Sequence, residues 1–487
     1  MKTWQMYVGG RWVDAEGGAT YAVQNPATED GVALVPDASA ADVGRAVEAS
    51  RVAFDEGPWP TTPLAERVDV LHRIADVIER RKEEFREVLV AASGAEFVTH
   101  TQQLESPIQL IRNYAELASR YPFEELLPLV EQPTPAGANL VSSLLVRQPV
   151  GVCALIPTWN FPLWVTAQKF APALVAGCTA VVKPSPWGPL VDLMIAEVVD
   201  EVGLPPGVLN VVCSERPEVG PALVEDARVD MVSFTGSNAT GMRIMESVAK
   251  NLTRVHLELG GKSALLVLDD YDLDAAVPSA ASPTFFHAGQ GCAMTTRVLV
   301  HRSRHDELVS KMASFVENIV KVGDPADPSV MLGPVIRSER RAAIEEIIAS
   351  GTEQGADLVT GGGRPGHLER GWFVEPTIFG NARADMRIAR EEIFGPVVAV
   401  IPFDDEDHAV RIANDSDYGL FGGILSNDKP RAIELAKRIR TGGVSINSAI
   451  NSFQKPSGGF KHSGIGRENG RFGLEEYTEL QVVMWPN

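Results

Sequence analysis

The chain has 487 residues, and its 44 basic and 64 acidic side chains leave a formal charge of −20. That balance disfavours nucleic acid and anionic membranes as partners. Hydrophobic residues at 45% and charged residues at 22% are ordinary for a soluble globular enzyme, and the length calls for two or three domains rather than one core.

Four cysteines, Cys153, Cys178, Cys213 and Cys292, form no CxxC pair and no short Cys/His cluster. No metal site is expected from them. So few in so long a chain fit reduced thiols and a cytoplasmic setting. The first residues, Met1–Met6, lack the apolar segment of a signal peptide. The most apolar run, Phe170–Val182, is broken by Pro172 and Gly177 and is too short to span a bilayer.

In chain order, Val8–Val13 is a hairpin candidate. A helix is predicted from Pro63, with Thr62 as N-cap, and Leu64, Val68, Leu71, Ile74, Ile78, Phe85 and Leu89 at mostly helical spacing. Prolines 128, 133 and 135 break up the next region, and Asn139–Gln148 reads as a lone strand that leaves its domain to pair elsewhere, for instance with a partner subunit.

From residue 150 strands and helices alternate. Val150–Ile156, Ala180–Lys183, Val208–Val212, Met231–Phe234 and Arg254–Glu258 are predicted strands, with helices around 163–176, 189–202 and 238–250. This is the pattern of a parallel sheet covered on both faces. Ligands bind such sheets at the carboxyl ends of the strands, where Thr158-Trp159-Asn160, Lys183-Pro184-Ser185 and Thr235-Gly236-Ser237 fall. A second α/β set follows, with strands Ala264–Leu268, Val298–His301, Val397–Phe403, Gly419–Leu425 and Gly443–Asn447. The fold class is therefore α/β, with two doubly wound parallel-sheet domains. The tail, 475–484, ends in a β-like run that could pair with 140–147.

Several segments carry chemistry. In Phe286–Arg297, Cys292 stands among small residues after two glycines, as an approachable thiolate nucleophile would; a buried, inert cysteine has the same look. Phe234–Gly241 runs from strand into helix, where backbone N–H groups can face a phosphate. Lys183 suits a ribose or phosphate, or is a snorkelling surface lysine. Glu258 ends a strand before two glycines; in a partly apolar pocket its pKa would rise into a general base's range. His256, on the same strand, reads as structural with nothing nearby to pair with it. In Glu391–Val397 one carboxylate could hold ribose hydroxyls while Phe394 lies beside a flat ring.

Taken together these segments resemble the aldehyde dehydrogenase superfamily over nearly the full chain. Asn25–Thr28, Trp159–Pro162, Lys183–Ser185, Phe234–Ser237, Glu258–Lys262, Gly289–Cys292, Glu392–Pro396, Ser463–Glu468 and Gly473–Thr478 match its motifs in order. The resemblance implies a nucleotide-binding domain (1–127 and 150–258), a catalytic domain (259–455) and a small β oligomerisation flap (128–149 and 456–487). It also implies a homodimer or homotetramer. By position, Cys292 matches the nucleophile, Glu258 the general base and Asn160 the oxyanion donor, with Lys169 and Glu468 at positions associated with proton relay. Ile156, Thr158, Trp159, Lys183, Ser185, Gly236, Ser237, Leu259, Glu392 and Phe394 match cofactor contacts. The activity implied is oxidation of a small-molecule aldehyde to an acid with NAD.

Two departures stand out. The lysine signature often ends in a glutamate that holds ribose hydroxyls; here Pro186 follows Ser185, which leaves NADP possible. NAD ranks first because no arginine is near the motif. Ser93-Gly94-Ala95-Glu96 departs from the commoner Glu-Thr-Gly-Lys helix end, in what reads as a surface turn. By alignment with the family, Phe161, Trp164, Thr166, Phe286, Ala293, Asn451 and Phe453 line the aldehyde tunnel, with Thr166 and Asn451 as its polar contacts. That lining favours neutral aliphatic or aromatic aldehydes. The alternatives are a CoA-acylating relative, which generally lacks Glu258's counterpart, and a non-catalytic protein, which needs none of Cys292, Glu258 and Asn160.

Overall fold

The computed structural model describes residues 1–135, 137–448 and 452–486. One eight-stranded sheet has at its centre the parallel strands Arg254–Glu258, Met231–Thr235, Val152–Ile156, Thr179–Val182 and Leu209–Val211, side by side in that order. Alternate residues of these strands enter different cores. Cys153, Leu155, Ala180 and Val182 pack with the helices Leu64–Arg80, Pro162–Ala176 and Leu190–Val202. Val152, Ala154, Val181 and Val232 pack with Ala40–Asp55 and Asn238–Val248. A strand buried on both faces needs apolar residues throughout, which is why each reads as a short continuous apolar run. Strand order reverses between Val152–Ile156 and Met231–Thr235, so the ligand crevice lies beyond their carboxyl ends.

A seven-stranded sheet runs Asp357–Thr360, Thr377–Gly380, Val397–Phe403, Arg297–His301, Ala264–Val267, Phe421–Leu425 and Gly443–Ile446, of which only the first is antiparallel to its neighbour. It has its own core. In a separate three-stranded sheet, Gly137–Pro149 lies between Glu124–Thr134 and the tail strand Thr478–Pro486, both antiparallel to it. The predicted pairing of the tail is present, with Leu480 opposite Arg147 and Met484 opposite Ser143.

Three local expectations change. The lone strand is half of a hairpin, because prolines do not stop an edge strand: Pro128 sits where the register shifts between Leu127 and Val130. The predicted long helix divides at Arg81 into Leu64–Arg80 and Lys82–Ser93. Pro63 itself takes the cap position, and the Thr62 hydroxyl instead donates to the Pro58 carbonyl. No helix among the described residues is long and apolar enough to cross a membrane.

Candidate active site

Cys292 follows a tight turn, Phe286–Gly289, in which His287 and Ala288 hold left-handed backbone (φ 48° and 51°). Two such non-glycine residues in a row persist only where their surroundings hold them. Here the Gln290 side chain donates to the His287 carbonyl (3.1 Å) and accepts from the Ile336 N–H (2.8 Å). Asn160 Nδ2 donates to the Gln290 carbonyl at 2.7 Å. Two glycines let the remaining segments close in. A Cβ on Gly261 would lie 2.4 Å from the Cys292 carbonyl oxygen, and one on Gly289 would lie 2.1 Å from the Gly395 carbonyl oxygen. Only residues without side chains permit those approaches, and they bring Glu258, Cys292 and Glu392 into one cleft.

The charges in that cleft oppose one another. Burial pushes the half-buried Cys292 thiol up to about 12, and the Glu392 and Glu258 carboxylates add to the rise. The amides of Cys292 and Ala293 point at the sulfur and pull the other way. A thiol so placed would need a base before it could act as a nucleophile. Glu258 ends the strand Arg254–Glu258 and is 8% exposed. Burial and then Glu468 hold its pKa well above the usual carboxylate range, against Lys169 and Arg467. Glu392 is raised to about 7 by burial; the Gly261 N–H, 2.9 Å from Oε1, and the cations Lys262 and Arg340 oppose this. Asn160 is buried, and its amide nitrogen spends one N–H on Gln290. The second N–H remains for a negative oxygen formed beside the sulfur.

The cofactor candidates gather at the carboxyl edge of the first sheet. The Trp159 ring stands 5.5 Å from Phe394, nearly perpendicular, and 5.7 Å from Trp187. Lys183 is buried; its ammonium reaches only the Pro184 carbonyl at 3.3 Å, and burial lowers its pKa. Ile156 ends the strand beside it and Thr158 lies two residues beyond, and the Ser185 hydroxyl accepts from the Trp187 N–H. Thr235 Oγ1 is buried and has no partner. Gly236 follows, and Leu259 packs against Gly241. A buried lysine, an orphaned hydroxyl, a helix N-terminus and two flat rings, set at a strand-order reversal, fit a dinucleotide.

Two expectations about this edge change. Ser237 is the N-cap of Asn238–Val248: its hydroxyl donates to Thr240 Oγ1 and accepts from the Thr240 N–H. An anion there would meet the helix N–H groups, with the Ser237 hydroxyl beside them at the cap. An arginine does come to the lysine signature, because the fold carries Arg337 to within 5.9 Å of the Trp187 ring.

The tunnel candidates divide. Trp164 meets Phe453 at 5.5 Å, and Phe161 meets the His287 ring at 5.3 Å. Phe286 is half-buried and Ala293 exposed. Thr166 faces elsewhere, because residues two apart on a helix point in nearly opposite directions. It is buried and donates to Asp192 Oδ1 at 2.6 Å, so it offers the tunnel no polar contact. Asn451 lies outside the described residues.

Some functional neighbours escape a sequence reading. Glu96, read as part of a surface turn, is fully buried; Oε1 accepts from the Gly333 N–H at 2.6 Å, and Oε2 faces His287 Nδ1 at 3.7 Å. The turn is covered by a segment far along the chain, which local sequence cannot reveal. Lys169 is also fully buried and donates to Glu468 at 2.9 Å and to Ser233 at 3.2 Å. His256 joins that group through Ser233 at 3.3 Å, contrary to the reading that nothing pairs with it.

The model of the aldehyde dehydrogenase family matches residues 12–483. A 3-succinoylsemialdehyde-pyridine dehydrogenase from a Pseudomonas species is 41% identical over 99% of this chain and 98% of its own. A geranial dehydrogenase from Castellaniella defragrans is 41% identical over 98% of each. Among solved structures, a Mycobacterium tuberculosis aldehyde dehydrogenase complexed with NAD+ superposes with a TM-score of 0.95 at 42% identity, covering 100% of this chain and 99% of that one.

Proposed function

The chain belongs to the aldehyde dehydrogenase family, and on that premise we propose how its residues oxidise an aldehyde to a carboxylic acid with NAD. Cys292 Sγ attacks the aldehyde carbon once Glu258 has taken the thiol proton. The oxyanion that forms is held by the free N–H of Asn160 and by the Cys292 amide. NAD, when bound, supplies the hydride acceptor that lets this adduct become a thioester. Lys183, the N-terminus of Asn238–Val248 and Glu392 would hold it, with Trp159 and Phe394 against its flat ring. Glu258 releases the thiol proton to solvent and then takes a proton from water, which attacks the thioester and frees the acid; the departing sulfur takes that proton back from Glu258.

The observation that carries this reading is the convergence of a cysteine, a buried carboxyl with a raised pKa and a half-spent buried amide, through backbone approaches that only glycine permits. The two curated relatives are named for different aldehydes, so their names do not fix the substrate. Phe161, Trp164, Phe286 and Phe453 favour an apolar, uncharged aldehyde. Glu258 speaks for water rather than CoA as the acyl acceptor. The first sheet with its helices is the nucleotide-binding domain, and the second is the catalytic one.

The three-stranded sheet exposes Leu126, Leu140, Leu480, Val482 and Met484. An apolar surface of that kind is suited to burial in a homodimer or homotetramer. Four free cysteines, three of them buried, are consistent with a cytoplasmic enzyme. The test is initial rate with a panel of aliphatic and aromatic aldehydes, NAD and NADP in parallel, without CoA. Reduced nicotinamide together with acid product is expected; product that appears only with CoA would overturn the hydrolytic reading.

A further inference from the structure

Strand register places three polar side chains on one face beneath the cleft. His256 and Glu258 are two apart on Arg254–Glu258, and Ser233 is the register partner of His256 on the neighbouring strand. The helix Pro162–Ala176 brings Lys169 over them, and the 466–469 segment brings Arg467 and Glu468. His256 Nδ1 lies 3.3 Å from Ser233 Oγ and 3.9 Å from Glu468 Oε1, and its Nε2 lies 4.0 Å from Glu258 Oε1. His256 Nε2 and Glu258 Oε1 are both buried with no hydrogen-bond partner among the described residues, and they face each other at 4.0 Å.

The hydrogen-bond inventory assigns the imidazole tautomer. Lys169 Nζ and the Tyr477 hydroxyl both donate to Ser233 Oγ, at 3.2 and 3.1 Å. Those two bonds fill the lone pairs of Ser233 and leave its proton for His256 Nδ1. A neutral ring that accepts at Nδ1 carries its hydrogen on Nε2. Burial, then Lys169 and Arg467, keep the ring neutral. The Nε2–H is thus an unused donor aimed at the carboxyl of Glu258, about 1 Å beyond bonding distance. No hydrogen bond among the described residues joins Glu258 to Lys169 or Glu468 directly.

Resting on the reading of Glu258 as base, we propose that His256 is a positioning residue for it: its Nε2–H receives the Glu258 carboxylate in an inward position and holds it ionised between turnovers. Glu468 and Glu476 disfavour ionisation of Glu258, while Lys169 and Arg467 favour it. A neutral N–H donor adds to the favourable side without adding a charge that would repel Lys169. The bond also fixes where the carboxylate returns after each proton transfer.

Two amides separate this role from simple packing. Asn at 256 can mimic Nδ1 and keep the Ser233 bond, but it cannot reach Glu258. Gln can place an amide N–H near the position of Nε2. The acyl-enzyme is made on Cys292 with p-nitrophenyl acetate, without nucleotide, and loss of the acetyl mass is followed across the neutral pH range. His256→Asn is expected to deacylate about tenfold more slowly at neutral pH, to acylate more slowly as well because Glu258 also takes the thiol proton, and to shift both profiles up by about one pH unit. His256→Gln is expected to recover most of both. An Asn variant with the wild-type profile overturns the proposal, and so does one that is slower at every pH with no shift of its profile. A wild-type enzyme that takes no acetyl group on Cys292 overturns the reading of the site, and this inference with it.

Discussion

Replacing Asn160 by alanine removes two different interactions, and they can be measured apart. One N–H of the amide holds the Gln290 carbonyl at 2.7 Å, so its loss leaves that buried acceptor unpaired. The expected stability cost is about 1–3 kcal/mol. On the proposed mechanism the second N–H holds the oxyanion, and losing such a donor costs about 10²–10³ in rate. Asn160→Ala should therefore lower kcat/KM for an aldehyde by about 10²–10³, with kcat falling more than KM rises. It should also lower the midpoint of chemical unfolding. Saturating NAD and a fixed aldehyde give the first number, and urea titration gives the second. An Asn160→Ala enzyme that loses stability but keeps kcat/KM within about threefold would refute the oxyanion assignment and leave Asn160 as a brace for the cysteine loop.

Cys292→Ala should abolish dehydrogenase activity and leave the circular dichroism spectrum unchanged; measurable turnover would end the mechanism. Asp192 is buried and raised to about 7 by burial alone, against the Thr166 hydrogen bond. A folded pKa above the unfolded value means that stability is greatest below about pH 4 and falls as pH rises toward 7. Asp192→Asn keeps an acceptor for Thr166 and should be more stable than wild type at pH 8, by at most about 4 kcal/mol, but not at pH 4. Equal effects at the two pH values would place the gain elsewhere. A Leu126→Asp, Met484→Asp double variant should dissociate the assembly, read by light scattering; an unchanged mass would remove the three-stranded sheet from the interface.

The central strands of both sheets were legible because a parallel strand is buried on both faces, and that burial writes an unbroken apolar run into the sequence; Ser338–Glu353, Asp357–Thr360 and Thr377–Gly380 were not foreseen. The tail strand and its pairing with Gly137–Pro149 were legible, but Glu124–Thr134, the hairpin partner of Gly137–Pro149, was hidden: Pro128 and Pro133 look like breakers until the strand is known to lie at an edge. Cys292, Glu258 and Asn160 could be named from their surroundings, yet their mutual approach depends on what lies across from Gly261 and Gly289, which is tertiary. Glu96 and His256 were misread, and Arg337 was not foreseen beside the lysine signature, for one reason. Each is defined by a partner from another part of the chain, Gly333 and His287, Ser233, and Trp187 respectively. Thr166 was misread differently: its offset from Trp164 already put the two on opposite sides of one helix.

The electrostatics of the cleft follow from crowding three acidic groups around one volume. Cys292, Glu258 and Glu392 cannot all be ionised cheaply together: each carboxylate raises the thiol's pKa, and burial raises all three. The protonation states are therefore linked, and a proton taken by either carboxyl makes the thiolate easier to form. Transfer of the thiol proton to Glu258 moves negative charge from one side of the cleft to the other without adding any. That is the least costly way to make a nucleophile in a site this poorly solvated. If Glu258 is the base, as proposed, the same argument explains why it is backed by Lys169 and Arg467 rather than by further carboxylates alone: both favour its ionisation.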